Sequence, residues 1–462
     1  MGSLQAVYDH APIFLQNLMC SAAGRQKYRE RYGKVYHETR AFLREFDGWT
    51  EERQIAYQEE ELRRFLRFAN ENSPFYRELY SGIDLDAIQT VGDLNRLPIV
   101  DKEMLRANMD RVFTVREGKY LEYHTGGTTG KSLSVRVLPE DNEIRIAVLD
   151  HFKSRVGFES LQMRRATFNG QHIIPPEQKR PIYWRWNRPC KQMIYSSFDL
   201  TEEKIGFYVD HLNKYKPEAI DGFFTSICDV ASYIERHNGP LSFRPLAVFP
   251  TSETVNDEGR ALIERVFGCK VYDQYASSEG APFVTECRFQ QLHMERSTGV
   301  IEIQPNGEIL VTSFTTRGTP LIRYAIGDVM EPEDPGFRCP CGLHGPGIKR
   351  ILGRRLDFLY RPDGAKINAG NVSNLLKYLP NSVIRAQFRQ ERMDEVEILL
   401  EMEGGVLDEA GRDVVLEKCR HTLGAEMRVS IRVVDRIPRE SSGKLRMIVN
   451  TVPAPELPQN QS

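Results

Sequence analysis

Two groups of side chains in this 462-residue sequence have types and spacings that suit chemistry better than packing. The first is Thr125-Gly126-Gly127-Thr128-Thr129-Gly130-Lys131. Glycines let successive backbone N–H groups turn to one side as a nest for an anion. Threonine hydroxyls add donors and a lysine adds charge. Such a loop suits a polyphosphate. It is close to G-x-x-x-x-G-K-[ST], but Thr125 stands where the first glycine belongs. Leu133, Val135 and Val137 then alternate as a strand instead of opening a helix. Both features argue against a P-loop nucleotidase. Taken alone, the loop could equally be the flexible tip of a hairpin. The second group is Cys287, His293, Cys339 and Cys341. Three thiolates and an imidazole make a closed tetrahedral set for Zn²⁺, with no position left open and hence a structural role. The spacing is not that of a standard finger, His344 could replace His293, and free thiols beside a surface histidine are the plainer alternative.

Further motifs follow the Gly/Thr loop in order. They are Phe249-Pro250-Thr251-Ser252-Glu253, Tyr275-Ala276-Ser277-Ser278-Glu279, Arg323-Tyr324-Ala325-Ile326-Gly327-Asp328, Gly353-Arg354 and Pro438-Arg439-Glu440-Ser441-Ser442-Gly443-Lys444. Any one of them has an ordinary explanation, such as a tyrosine ending a strand, an aspartate in a turn or a solvated loop lysine. The ordered series resembles the adenylate-forming superfamily, and most closely its phenylacetate–CoA ligase-like branch, over about residues 125 to 444.

The resemblance implies a role for each motif. Residues 125–131 would hold the phosphates of ATP. Ser252 and Glu253 belong to an adenine-contacting segment, and Tyr275, followed by Ala276, offers a flat ring for adenine to stack on. Glu279 would hold Mg²⁺, a hard cation that prefers carboxylate and phosphate oxygens. Asp328 would accept both ribose hydroxyls, and Arg354, where the hinge begins, would add a further ribose contact. Lys444 would reach in from the small lobe to stabilise charge at the α-phosphate as pyrophosphate leaves. Gly170-Gln171-His172 and Phe223-Phe224-Thr225-Ser226 fall where the branch forms its acid pocket, and some of its members carry zinc near these motifs. The sequence departs from the pattern at Ala276 (usually glycine), at Thr251-Ser252-Glu253 (a partial match) and at Leu356, which stands in place of the hinge aspartate with Asp357 following.

The function implied is activation of a carboxylic acid, an aryl acid by family weight, to acyl-AMP with release of pyrophosphate. Transfer to coenzyme A follows. The same first step would serve transfer to an amine or to a carrier protein, and no residue separates these acceptors. A zinc-bearing interaction protein that has lost catalysis is the rival of another class. The joint presence of Glu279, Asp328 and Lys444 speaks against it. A homodimer is common among look-alikes.

These residues need a scaffold, and the periodicity outlines one. Residues 1 to about 110 read as helical: apolar positions recur at helical spacing over Glu30–Phe46 and Thr50–Asn70, and Asn72-Ser73-Pro74 ends the second run. From 118 to 353 short strands and helices interleave: helices over Thr201–Lys214 and Ser226–His237, buried strands over Ala247–Phe249 and Lys270–Tyr275. A hairpin joins Val300–Ile303 to Glu308–Thr312 through Asn306-Gly307. Tyr183-Trp184-Arg185-Trp186-Asn187-Arg188 alternates aromatic and basic residues, as a sugar- or nucleotide-stacking strip would, or as an exposed strand would. Beyond Gly353 the pattern is α+β: paired strands over Ile384–Arg389 and Glu395–Met402, a helix over Asp408–Leu423 with Gly424 as its cap, then a strand over Val429–Val434. The expected fold is therefore α/β: a large N-terminal lobe over 1–353, a small mobile C-terminal α+β lobe over 354–452 and a disordered tail over 453–462. With 62 basic and 64 acidic residues, there is no basic footprint for a nucleic acid. No apolar run is long enough to cross a bilayer and no leader pattern opens the chain, so a soluble cytoplasmic protein acting on a small acid is expected.

Overall fold

The computed structural model describes residues 2–115, 118–124, 133–237, 239, 241–352, 358–368, 371–372, 375, 379, 382–402, 406–437 and 447–452. The chain opens with α1 (Gly2–His10), α2 (Ile13–Arg31), α3 (Lys34–Phe46), α4 (Glu51–Asn72), α5 (Pro74–Leu79), α6 (Lys102–Ala107) and α7 (Met109–Val112). Local chemistry sets several of these starts. Thr50, Ser73 and Asp101 accept the Arg53, Tyr76 and Met104 amides at the N-termini of α4, α5 and α6, and Pro74 takes the first turn of α5, where its missing N–H costs nothing. The expected helical lead-in is present.

A two-stranded ribbon follows: β1 (Leu121–His124) runs antiparallel to β2 (Ser134–Val137). After α8 (Pro139–Ser154) the chain winds a six-stranded sheet from β3 (Arg165–Asn169), β4 (Trp184–Asn187), β5 (Gln192–Ser196), β6 (Ala219–Phe223), β7 (Ala247–Thr251) and β8 (Lys270–Val271). Its order is β4-β5-β3-β6-β7-β8, parallel except at the β4 edge. The crossovers include α9 (Glu202–Tyr215), α10 (Phe224–Arg236) and α11 (Asp257–Phe267), whose apolar faces share one core with the sheet. At Gly222, φ is +127° and a Cβ would strike the Phe168 backbone, so only glycine fits.

Two expectations need correction. Lys270–Tyr275 is not one strand: β8 (Lys270–Val271) ends the parallel sheet, and β9 (Gln274–Tyr275) starts another. Nor is 183–188 an exposed strand. β4 is an edge strand, but Arg185 is 0% exposed, with its guanidinium bonded to the Gln16 and Gln178 side chains and to backbone carbonyls. Its basic residue serves packing against α2.

The second sheet comprises β9, β10 (Val284–Glu286), β11 (Leu292–Met294), β12 (Gly299–Ile303), β13 (Glu308–Ser313), β14 (Tyr324–Pro332) and β15 (Gly347–Ile351), in the order β12-β13-β14-β15-β11-β10-β9. β12 and β13 form the expected hairpin, with Gly307 at φ +82° in its turn. The early helices complete this sheet's core. Leu62, Phe65, Leu66 and Tyr76 pack with Val311, Leu321 and Tyr324. Backbone bonds join Val100 to Arg323 and Ala325, Tyr76 Oη donates to Pro320 O, and Gln58 Nε2 donates to Gly299 O.

The C-terminal unit holds a hairpin, β16 (Phe358–Tyr360) with β17 (Lys366–Asn368), and a four-stranded sheet. That sheet is built from β18 (Val383–Arg392), β19 (Glu395–Met402), β20 (Arg428–Val434) and β21 (Ile448–Asn450), in the order β20-β19-β18-β21. α12 (Glu409–Leu423) covers it, capped by Asp408, which accepts Gly411 N, and ended at Gly424. The expected α/β class holds: a large N-terminal body and a small C-terminal α+β domain. The boundary expected at Gly353 and the tail from 453 lie outside the described residues.

Candidate active site

Strand ends and turns of the two sheets of the large body carry most of the described candidates. Tyr275 ends β9 and is paired with Val284 of β10. Asp328 lies within β14, not in a free turn. There the register against β13 jumps from Glu308↔Val329 to Leu310↔Ala325, an irregularity with Gly327 at φ +82°. A bulge of this kind re-aims side chains. Tyr275 Oη donates to Asp328 Oδ2 at 2.8 Å. Two motifs 53 residues apart are thus in contact.

Ala276 and Glu279 occupy the turn after Tyr275. Glu279 is half-buried and belongs to no helix. The turn is closed on itself, since Ser277 Oγ accepts from the Gly280 and Ala281 amides at 3.2 and 3.0 Å.

Ser252 and Glu253 follow β7. Ser252 has φ +66°, a strained value for a residue other than glycine. The Glu253 carboxylate accepts from Thr225 N at 2.7 Å and Thr225 Oγ1 at 3.1 Å, at the first turn of α10. The expected adenine segment and the expected acid-pocket segment are thereby joined. Burial raises the Glu253 carboxyl to about 7, with Asp229 adding to the shift and the Thr225 bonds opposing it. Gln274 Nε2 donates to Pro250 O at 3.2 Å, tying the end of β7 to β9.

The other acid-pocket segment meets the small domain. His172 stacks on Phe198 with ring centroids 4.3 Å apart, and His421 of α12 lies 4.3 Å from the same imidazole. Burial, then His421 and Lys418, holds His172 down at about 4, so it is neutral at physiological pH. Arg361 donates to Phe198 O across the same seam. Nothing in the sequence pointed to His421 or Phe198, because such a contact joins segments with no shared motif.

Cys287, His293, Cys339 and Cys341 converge, their donor atoms all within 4.8 Å of one another. Cys287 Sγ lies 3.6 Å from Cys339 Sγ, and Cys341 Sγ lies 3.4 Å from His293 Nε2. A tetrahedral ion with ligand bonds of about 2.0–2.3 Å separates its donors by roughly 3.4–3.8 Å, so these spacings fit. The remaining ring nitrogen, His293 Nδ1, lies 3.3 Å from Gly345 O, the outer contact that commonly orients a ligating imidazole. His293, not His344, belongs to the cluster. The cluster links the turn after β10 and strand β11 to the loop after β14.

Thr125, Gly126, Gly127, Thr128, Thr129, Gly130 and Lys131 lie outside the described residues, as do Arg354 and Lys444. His124 and Ser134, on either side of the 125–131 loop, are paired between β1 and β2.

Solved structures share this arrangement of sheets. 2-Hydroxyisobutyryl-CoA ligase in complex with 2-HIB-AMP and CoA in the thioesterification state superposes with a TM-score of 0.53 at 18% identity, covering 87% of this chain and 90% of that one. The same ligase in the postadenylation state with R3-HIB-AMP gives 0.52 at 16% identity, over 85% and 88%. The fold is that of the adenylate-forming enzymes. Among relatives by sequence, a phenylacetate-coenzyme A ligase from Thermus thermophilus is 23% identical over 449 residues, 88% of this chain and 98% of the relative. The protein CapK from Staphylococcus aureus is 35% identical over 460 residues, 97% of this chain and 100% of CapK. Residues 359–451 match the family model of the CapK C-terminal domain. The chain belongs to the CapK family, within the phenylacetate–CoA ligase-like branch of the adenylate-forming superfamily.

Proposed function

We propose that this chain activates a carboxylic acid with ATP, forming acyl-AMP and pyrophosphate, and then passes the acyl group to coenzyme A. The observation that carries the reading is the contact between Tyr275 Oη and Asp328 Oδ2, which assembles an aromatic face and a two-oxygen acceptor at one place. A nucleoside needs both: a ring to stack on its base and a carboxylate to accept from its ribose. Glu279, four residues beyond Tyr275, would hold Mg²⁺ bound to the triphosphate. Residues 125–131 would cradle the phosphates, Ser252 and Glu253 would border the adenine, and Arg354 would add a ribose contact. Lys444 would stabilise negative charge at the α-phosphate as the acid's carboxylate attacks and pyrophosphate departs. The acid would lie between the Gly170–His172 and Phe223–Ser226 segments, and an aryl acid is favoured by resemblance. In this reading the lobes over 1–353 and 354–452 close on the nucleotide. The phenylacetate-coenzyme A ligase relative and the CoA-bound ligase of the same fold support coenzyme A as acceptor.

The Cys287, His293, Cys339 and Cys341 set supports a structural Zn²⁺. Bound there, the ion would brace the strand after Glu279 against the loop after Asp328, and with them two nucleotide contacts. It would supply no open position for catalysis.

Acid-dependent ATP–pyrophosphate exchange tests the proposal. Aryl, fatty, amino and sugar acids form the panel and Lys444→Ala the control. Exchange with one acid class, abolished in the variant, is the expected result. ATP that binds without exchange under any acid counts against catalysis and favours a non-catalytic, zinc-bearing interaction protein.

A further inference from the structure

Arg145 lies on α8, in the stretch that follows the ribbon flanking residues 125–132, and no motif includes it. Its Nη1 donates to Gly280 O at 2.9 Å, Ala281 O at 3.0 Å and Thr315 Oγ1 at 3.0 Å. Its guanidinium carbon sits 4.4 Å from the centre of the Phe283 ring. Ser313 Oγ donates to the same Gly280 carbonyl at 2.6 Å. Gly280 itself has φ +105°, and a Cβ there would strike the Thr316 methyl group. The backbone just after Glu279 is therefore held from two sides and has no alternative course.

The charge on Arg145 is the second observation. Among the described residues no carboxylate pairs with it: nearby Asp141 accepts instead from the Arg317 amide and Nε, both at 2.8 Å. Burial lowers the Arg145 guanidinium to about 10, with Asp141 and then Tyr275 opposing the shift, which leaves it cationic at neutral pH. Asp141 attracts this charge from one turn earlier on α8 but is already bonded to Arg317, and carbonyl dipoles offset part of the remaining cost of holding a cation away from water. A polyanion bound beside the Glu279 turn would add a further counter-charge.

We infer that Arg145 is a positioning residue for Glu279: it clamps the Ser277–Ala281 turn from α8 and brings a positive charge to the site proposed for the metal–triphosphate. This rests on the reading of Glu279 and Asp328 given above. Arg145 acts through the turn, so its loss should alter how the nucleotide and the divalent ion are bound before it alters chemistry.

The full-length chain, Arg145→Lys and Arg145→Met are compared in acid-dependent exchange, with Mg²⁺ titrated at saturating ATP. ATP binding is measured by calorimetry in EDTA. The expected result for Arg145→Met is at least a tenfold rise in KM for ATP, a higher Mg²⁺ concentration at half-saturation, weaker ATP binding in EDTA and partial recovery with added guanidinium chloride at low millimolar concentration. Arg145→Lys should recover the ATP affinity, which needs charge, but not the Mg²⁺ requirement, which needs the three-way clamp. An Arg145→Met variant that melts earlier yet keeps the wild-type ATP affinity and Mg²⁺ curve overturns the inference. If that variant does not fold, Thr315→Val removes one arm of the clamp, and an unchanged Mg²⁺ curve there overturns it equally. A wild type that neither binds ATP nor exchanges with any acid sinks the proposed function and this inference with it. An active wild type with indifferent variants sinks this inference alone.

Discussion

Tyr275→Phe isolates the contact on which the functional reading depends. The phenol reaches Asp328 Oδ2 at 2.8 Å, while the ring is buried at 8% exposure between β9 and its neighbours. The substitution keeps the ring and its stacking face but deletes one bond that helps to fix the carboxylate plane. Holding one rotamer-rich side chain costs about 0.5–1.5 kcal/mol on binding. The nucleotide must supply part of that ordering in the variant, so KM for ATP should rise by up to about 12-fold with kcat little changed. Tyr275→Ala removes the ring as well, and an aromatic contact adds about 0.5–1.5 kcal/mol beyond area. Its KM should therefore rise at least as much again. The assay is the ATP dependence of pyrophosphate exchange, with thermal melts in parallel. Asp328→Asn combined with each Tyr275 variant completes the double-mutant cycle. If the two residues act together on ribose, the Tyr275→Phe effect shrinks in the Asp328→Asn background. An unchanged KM in Tyr275→Phe, with only a lower Tm, would refute the reasoning and leave a strand-pairing bond.

Four further outcomes are expected. The purified wild type should carry one zinc per chain by elemental analysis, and Cys339→Ser/Cys341→Ser none. The double variant should also bind ATP less tightly, and a wild type free of zinc would end the metal assignment. Asp47 is bonded to His151 and Arg155; burial alone would raise its carboxyl, but these partners outweigh it and hold it at about 2, against 3.8 when unperturbed. A depressed acid contributes stability above its unfolded pKa and loses it as pH falls through the folded value. Asp47→Asn should thus cost roughly 2 kcal/mol near pH 7 in denaturant titrations, and well under 1 kcal/mol near pH 2. Glu253 shows the opposite sign. Raised from 4.5 to about 7, it contributes stability fully present below 4.5 and lost as pH rises through about 7. Glu253→Gln should flatten the fall in Tm between pH 5 and 8, and identical pH profiles would contradict the assignment. Gly222→Ala must strain φ +127° and displace the Phe168 backbone, so a loss above about 3 kcal/mol is expected, read as the shift in unfolding midpoint.

Much of the fold could be read from the chain, because local patterns specify it. The end of the second helical run at Asn72-Ser73-Pro74, the Asn306-Gly307 hairpin and the Asp408–Gly424 helix each declare themselves within a few residues. Sheet membership did not: Lys270–Tyr275 is one apolar run to a reader, yet the chain leaves one sheet and enters another between Val271 and Gln274. The candidate site was legible where residues within one motif stay neighbours, as at Tyr275–Glu279. It was legible too in the four donors around Cys287, whose types announce a shared role. The partnership of Glu253 with Thr225 was not, since it depends on which strand end abuts which helix. Arg145 and Arg185 were not either. Arginine is ordinarily a surface residue, and only the tertiary structure reveals that Arg185 is fully buried and that Arg145 is turned onto the backbone carbonyls after Glu279.

The lacing of the early helices onto β12–β14 also bears on how the protein is made. Tyr76 and its acceptor Pro320 are 244 residues apart, and Gln58 and Gly299 are 241 apart. A ribosome adding roughly 5–20 residues per second spends on the order of 10–50 s between the first pair. Throughout that interval α4 and α5 are half of a core whose other half has not been synthesised. The parallel sheet, drawn from residues 165–271, can assemble meanwhile as a unit of its own. The antiparallel sheet, and with it the turn bearing Glu279 and the strand bearing Asp328, closes only after β14 leaves the exit tunnel. Truncated chains ending before residue 332 should therefore present the apolar faces of α4 and α5 to chaperones and proteases.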